Sequence, residues 1–239
     1  WKASLFDRRL RLALTGFYAD YKDVQIPGSA GFDSNGDGVF DTFIGITTNA
    51  GKARMKGVEF EGLATLARDF AGAGSAITFN GTLGYIDAQY RQFIDNFGND
   101  VANLRAIQNT PKWTLSGTLG LDLPVASGML NASTTLSYRS KTNQFELPSP
   151  YLDQKGYALW DASLVWTSEG DRYSIGLHAK NILDKQYITS GYQFLATAPD
   201  GTPLRTPAGA LRPTLGQEGV VTAFYGNPRQ IFATVGLKF

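Results

Sequence analysis

Apolar and polar residues alternate one for one in stretch after stretch of this chain, and a two-residue period restricts it to β-strands with one apolar face. Between Pro111 and Pro124, Trp113, Leu115, Leu119, Leu121 and Leu123 share one parity, against Lys112, Thr114, Ser116, Thr118 and Asp122. Leu130, Ala132, Leu136 and Tyr138 repeat the pattern against Asn131, Ser133, Thr135 and Ser137. It returns at Val58 to Leu66, Ile77 to Tyr85, Ala158 to Trp166, Tyr173 to Lys180 and Gln230 to Phe239. From Leu10 to Ile26 the register is ambiguous, because Leu10, Leu12, Leu14 and Tyr18 share a face while Phe17 sits on the other. The pattern predicts about eight full strands and the tail of another ending near Phe6.

The apolar face can meet a second sheet or lipid, and the connections favour lipid. Phe6 to Arg9, Asp69 to Ser75, Pro124 to Gly128 and Ser168 to Asp171 are short, whereas Pro27 to Gly51, Gln92 to Thr110, Gln144 to Gln154 and Lys185 to Asn227 are long. Short turns at one end and long loops at the other are the plan of an outer-membrane barrel, with the short side periplasmic. A soluble β-sandwich shares the alternation but has no reason to alternate its loop lengths. The mean hydropathy is -0.17 and no run approaches the roughly 20 apolar residues of a membrane helix, so any crossing is by strands. Lys52, Arg54 and Lys56 precede Val58 and Phe60 on one parity, as if that face passes from water into hydrocarbon. Tyr18, Tyr85, Trp113, Tyr138, Trp166 and Tyr173 fall near strand ends, where amphipathic rings sit at the headgroups.

With 22 basic and 21 acidic residues, scattered, the chain lacks the basic stripe of a nucleic-acid binder. The absence of Cys excludes disulfides, thiolate metal sites and a thiol nucleophile. The chain opens on Trp1 with no basic-then-apolar leader, so any signal peptide is expected outside it.

Few motifs carry chemistry. Asp33, Asn35, Asp37 and Asp41 occupy positions one, three, five and nine of a calcium loop, with Gly38 at the sharp turn, but Ile44 stands where a bidentate Glu belongs. A structural calcium is one reading; a hydrophilic turn is the simpler one. Glu59 and Glu61 share a face about 7 Å apart, as a glycosidase pair could, yet a wet lumen solvates such carboxylates. His178 is the single histidine and a lumen-facing polar residue beside Lys180. Gly72 to Ile77 lacks the third glycine of a dinucleotide loop and is a turn. The expectation is a protein that is not an enzyme. Loops over a rigid scaffold collect binding residues, so Tyr192, Phe194, Arg205, Arg212 and Tyr225 on the last long loop are the candidate ligand contacts.

Five phrases, in order, resemble the C-terminal part of the barrel of TonB-dependent outer-membrane receptors. They are LRLALTGFYADYKD (Leu10 to Asp23), NAGKARMKGVEFE (Asn49 to Glu61), PKWT (Pro111 to Thr114), NILDKQY (Asn181 to Tyr187) and GNPRQIFATVGLKF (Gly226 to Phe239). The resemblance implies an all-β, antiparallel transmembrane segment spanning residues 1–239 within a larger barrel of about 22 strands, with the plug and earlier strands supplied elsewhere. It further implies residence in the outer membrane of a Gram-negative bacterium, and TonB-energised uptake of a scarce, bulky nutrient: siderophore-bound iron, cobalamin or an oligosaccharide. The expected partners are outer-membrane lipid, the protein's own plug and remaining strands, the TonB complex through that plug, and a small-molecule ligand. The barrel-assembly machinery joins them through Phe239 as an assembly signal. A complete eight-stranded barrel with a structural or adhesive role, and a passive porin, are the alternatives.

Overall fold

A computed structural model describes residues 1–38, 42–95, 98–213 and 219–238. Its strands are β1 (Lys2–Leu5), β2 (Leu10–Phe32), β3 (Thr42–Arg68), β4 (Ala76–Phe93), β5 (Trp113–Pro124), β6 (Gly128–Arg139), β7 (Tyr157–Ser168), β8 (Tyr173–Lys180), β9 (Ile188–Gln193), β10 (Val221–Tyr225) and β11 (Gln230–Leu237). Nine of them form one antiparallel sheet in the order β1-β2-β3-β4-β5-β6-β7-β8-β11, and β9 pairs with β10 in a second, two-stranded sheet. Every neighbour in the large sheet is a sequence neighbour except β8 and β11, between which the long final loop intervenes. Among the described residues β1 and β11 do not pair, so the sheet is an open wall and not a closed small barrel.

The register turns the sequence alternation into continuous rows. Leu14, Phe60, Leu83, Leu115 and Tyr138 stand opposite one another in turn across β2 to β6. Ile77, Leu121, Ala132, Leu164, Leu177 and Ala233 form another such row. The opposite face carries Thr82, Ser116 and Ser137 in one row, and Asn80, Thr118, Thr135 and Asp161 in the next. A single-layer wall has nothing to bury its apolar face against within the chain. Leu136, Ile175, Leu177 and Val235 are accordingly 55 to 75% exposed, an arrangement that only hydrocarbon satisfies.

Tyr85 and Trp113 pack with ring centroids 4.5 Å apart at one margin of the apolar face. Trp166 and Tyr173 sit at the other, the Trp166 indole donating to the Val125 carbonyl in the turn. Leu130, paired with Trp166, and Tyr138 lie about 26 Å apart along β6 at roughly 3.3 Å per residue. At a tilt near 40° this gives roughly 20 Å of height, close to the apolar band of an outer-membrane barrel.

Two expectations change. Residues 27–32 and 42–51 are not loop but the outer half of a long ribbon, since β2 and β3 stay paired from Leu10↔Ala64 to Phe32↔Thr42, with irregularities around Val24. The ambiguous register of Leu10 to Ile26 is also resolved. Leu14 and Tyr18 belong to the apolar face, and Phe17 points the other way, where a side chain on Gly57 would collide with its ring. A glycine one strand over leaves room for that ring, a known way of accommodating aromatics on sheets.

Candidate functional site: the external loops and the polar wall

The buried apolar residues lie almost entirely at the long-loop end. Ile26, Phe93 and Val101 form a cluster flanked by Val24, Tyr90 and Leu104, and Leu152 and Leu195 are buried nearby in sequence to the other loops. Here the three connections after β4, β6 and β8 interlock. Ala106 donates to the Glu146 carbonyl, and the Gln108 amide donates to the Glu146 carboxylate at 2.7 Å. Arg105 stacks over Phe93 at 5.3 Å and donates to the Pro199 carbonyl at 2.9 Å. The Ser149 hydroxyl donates to Gln193 at 2.6 Å, and the Ile188 amide donates to Gln154 at 2.7 Å.

The final loop is fastened at its root by Asn181, which is 5% exposed and adopts a positive φ of 48° that Asn tolerates better than most residues. Its side-chain amide donates to the carbonyls of Lys185 and Asn227, each at 3.0 Å, and its carbonyl accepts from the Lys185 amide at 2.8 Å. Asp184 accepts from the Arg229 amide at 2.9 Å. Tyr187 stacks on Tyr157 at 4.6 Å and occupies the space a side chain on Gly226 would need. The phrases NILDKQY and GNPR are thus the two halves of a clasp that closes the loop over its own ends.

Within that loop, Tyr192 on β9 touches Phe194 edge-on at 5.5 Å and faces Phe224 of β10 at 6.3 Å, making a small aromatic cluster with Tyr225 exposed at the end of β10. Arg205 turns inward on its own hairpin, donating to the Gly209 carbonyl at 2.7 Å. The backbone of Arg212 pairs with Leu204 and Ala196 while its side chain is exposed. The structure therefore joins Tyr192 and Phe194, and sets Arg205 to bracing. The interlocking residues Arg105, Gln193 and Asn181 carry no sequence pattern beyond the NILDKQY phrase and are visible only once the loops are folded.

At the tip of the β2–β3 ribbon, Asp33 accepts amide protons from Asn35, Gly36 and Gly38 at 3.2, 2.6 and 2.7 Å. The Asn35 side chain accepts from the Asp37 amide and donates to the Asp37 carboxylate, each at 3.0 Å. These donations, from Gly38 above all, hold the Asp33 carboxyl below the usual carboxylate range. Asp41, the further oxygen donor of the calcium spacing, lies outside the described residues. So does Phe239, the expected assembly signal. Among the described residues no three acidic, His or Cys side chains converge.

On the polar wall His178 is braced rather than free. Its Nδ1 lies 2.9 Å from the Ser163 hydroxyl, its Nε2 3.1 Å from the Thr234 hydroxyl, and its ring stacks on Phe232 at 4.9 Å, tying β7, β8 and β11 together. Lys180 pairs with Asp161 at 2.9 Å. Glu59 and Glu61 are exposed, opposite Gly84 and Thr82 on β4.

Alternating wall, aromatic margins and one-sided loops coincide with a family assignment: the model of the TonB dependent receptor-like β-barrel matches residues 1–182. The chain belongs to the TonB-dependent receptor β-barrel family. It is an outer-membrane protein of a Gram-negative bacterium. The fold is similar to that of the ferric yersiniabactin uptake receptor FyuA from Yersinia pestis, with a TM-score of 0.62, 18% identity, and coverage of 97% of this chain and 28% of that one. It is similar, too, to the ferric-catecholate import receptor Fiu from K12 E. coli, with a TM-score of 0.59, 16% identity, and 100% and 26% coverage. The siderophore receptor PiuA from Acinetobacter baumannii gives 0.59, 14%, and 98% and 26%. This TonB-dependent receptor segment thus spans between a quarter and a third of the length of those receptors.

Proposed function

We propose that residues 1–239 are the C-terminal wall and external loops of a receptor that takes up a ferric siderophore, with energy delivered by the TonB complex through a plug encoded elsewhere in the same protein. The observation that carries the reading is the interlocked loop cap, with the aromatic cluster of Tyr192, Phe194 and Phe224 on a clasped loop. Polyaromatic surfaces suit the flat, partly aromatic faces of iron chelates. The siderophore receptors that share the fold support iron over cobalamin or an oligosaccharide. The remaining strands close the wall between β1 and β11. This is a transporter's role with no catalytic step.

The test is uptake of radioactive iron by cells whose only siderophore receptor is the complete protein. Uptake is expected to require TonB and to fall when residues 189–224 are replaced by a short Gly-Ser linker. Import that survives loss of TonB, or steady ion conductance through the purified receptor, would instead identify a passive porin.

A further inference from the structure

Beyond the Tyr85–Trp113 margin, β4 runs on without β5. Its last bond to that side is made by the Ile86 amide, which donates to the Lys112 carbonyl at 3.0 Å, while pairing with β3 continues to Phe93. Antiparallel pairing sends the main-chain groups of successive residues to opposite edges of a strand. Since Ile86 donates away from β3, Ala88 and Tyr90 aim their N–H and C=O groups the same way. Neither has a main-chain partner on that side among the described residues. The open stretch ends at Arg91, the extra residue of a bulge between Tyr90↔Ala53 and Gln92↔Lys52. From Ile86 to Tyr90 it runs about 13 Å at roughly 3.3 Å per residue, room for about four residues of extended chain.

Proteins cover or blunt such edges, and here the nearest cover is held back. Segment 102–112 passes alongside, but its amides are committed elsewhere. Arg105 donates to the Ala102 carbonyl in a single 3-10 turn, Ala106 to that of Glu146, and Asn109 to that of Asn143. The last two bonds tie the segment to the connection between β6 and β7, and a cleft of about 540 Å³ separates it from β4. Residues of both strand faces line this cleft, so it cuts through the plane of the sheet. Ile86, Ala88 and Tyr90 bound it on the lumen parity, and Asp87, Gln89 and Arg91 on the outward parity. Asn103 stands in the opposite wall, exposed and with no hydrogen-bond partner among the described residues.

We infer that this cleft binds a short extended peptide by strand addition to the β4 edge. Three features select a peptide main chain over other polar ligands. Unspent donors and acceptors recur along the edge at the two-residue spacing of a strand, which another extended backbone matches group for group. The two sides of the edge differ, mostly apolar toward the lumen and polar outward, so the preferred sequence alternates apolar and polar side chains. Acid and base line the cleft together, Asp87 with Arg91 and Lys112, so recognition rests on main-chain hydrogen bonds and not on net charge. The inference holds whichever nutrient the receptor carries.

The experiment uses the complete receptor, refolded in detergent and titrated with the end-capped peptide acetyl-Val-Thr-Val-Thr-amide. Binding is read from hydrogen exchange of the Ala88 and Tyr90 amides, which the peptide is expected to slow while exchange in β9 and β10 stays unchanged. Methylating the two peptide nitrogens that would donate to β4 keeps the side chains and removes two hydrogen bonds. At about fivefold for each bond lost, the methylated peptide should bind roughly 25-fold more weakly. Ala88→Pro removes a donor that faces the cleft and spares the bonds to β3. Followed at Tyr90, it should weaken the unmodified peptide about fivefold. Should this variant fail to shift on a heat-modifiability gel, the methylated peptide on the unaltered receptor decides. Unchanged exchange at Ala88 and Tyr90 overturns the site. Equal binding of the methylated peptide also overturns it, because side chains alone would then make the contact.

Discussion

At the residue scale, single side chains settle matters that periodicity leaves open. Phe17 breaks the alternation of β2 because its ring faces the polar side, over Gly57. Gly57→Val therefore drives a branched side chain into the ring and into the β4 backbone. A loss of about 1 to 3 kcal/mol is expected for such overpacking, measured as a lowered urea midpoint for the folded band of the complete receptor. Asp33 gives a pH prediction. Its carboxyl is held below the usual range by backbone donation led by Gly38, so the charged form is the one the folded tip prefers. That contribution is fully present above the ordinary carboxylate value and disappears as pH falls through the lowered one. Hydrogen-exchange protection of the Gly36 and Gly38 amides, normalised for intrinsic rate, should hold through mildly acidic pH and collapse below it. Asp33→Ala should remove the protection at every pH.

At the scale of elements, the strands inside the membrane were legible and the structure outside it was not. Trp113 to Leu123 and Leu130 to Tyr138 announce themselves because lipid on one side and water on the other impose opposite chemistry on adjacent residues. Beyond the margin both faces are wet, the constraint lapses, and the Pro-Gly-Ser-Ala-Gly run from Pro27 reads as a turn although it pairs with β3 throughout. The final loop hid β9 and β10 for the same reason. Of the five candidate contacts on it, Tyr192 and Phe194 lie edge to edge and Arg205 turns inward, and both arrangements depend on a fold of the loop that no local pattern marks. The clasp was half legible: NILDKQY was recognisable as a phrase, but its partner lies 46 residues away at Asn227. Asn181→Asp keeps the size and removes both donations to carbonyls, leaving two acceptors unpaired at roughly 1 to 3 kcal/mol each. The expected outcome is faster proteolysis within residues 185–227, with the heat-modifiable barrel intact.

At the scale of the whole molecule, a nine-stranded sheet whose outer strands β1 and β11 have no partner among the described residues, with a broad apolar face, makes a wall that needs neighbours. Expressed by itself, residues 1–239 should aggregate through those edges, and light scattering after dilution from denaturant should show it; a soluble monodisperse species would argue against an open wall. The central claim is that, between the aromatic margins, one parity of each strand of the large sheet meets lipid and the other meets water. Because the chain contains no Cys, single cysteines can be placed one at a time from Leu130 to Tyr138 in an otherwise Cys-free complete receptor reconstituted in lipid bilayers. Spin labels on them can then be scored for oxygen against water-soluble relaxant. Positions 132, 134 and 136 should favour oxygen, and positions 131, 133, 135 and 137 the water-soluble agent, in strict alternation. Uniform access of the water-soluble agent along the strand, or an inverted phase, would contradict the membrane wall.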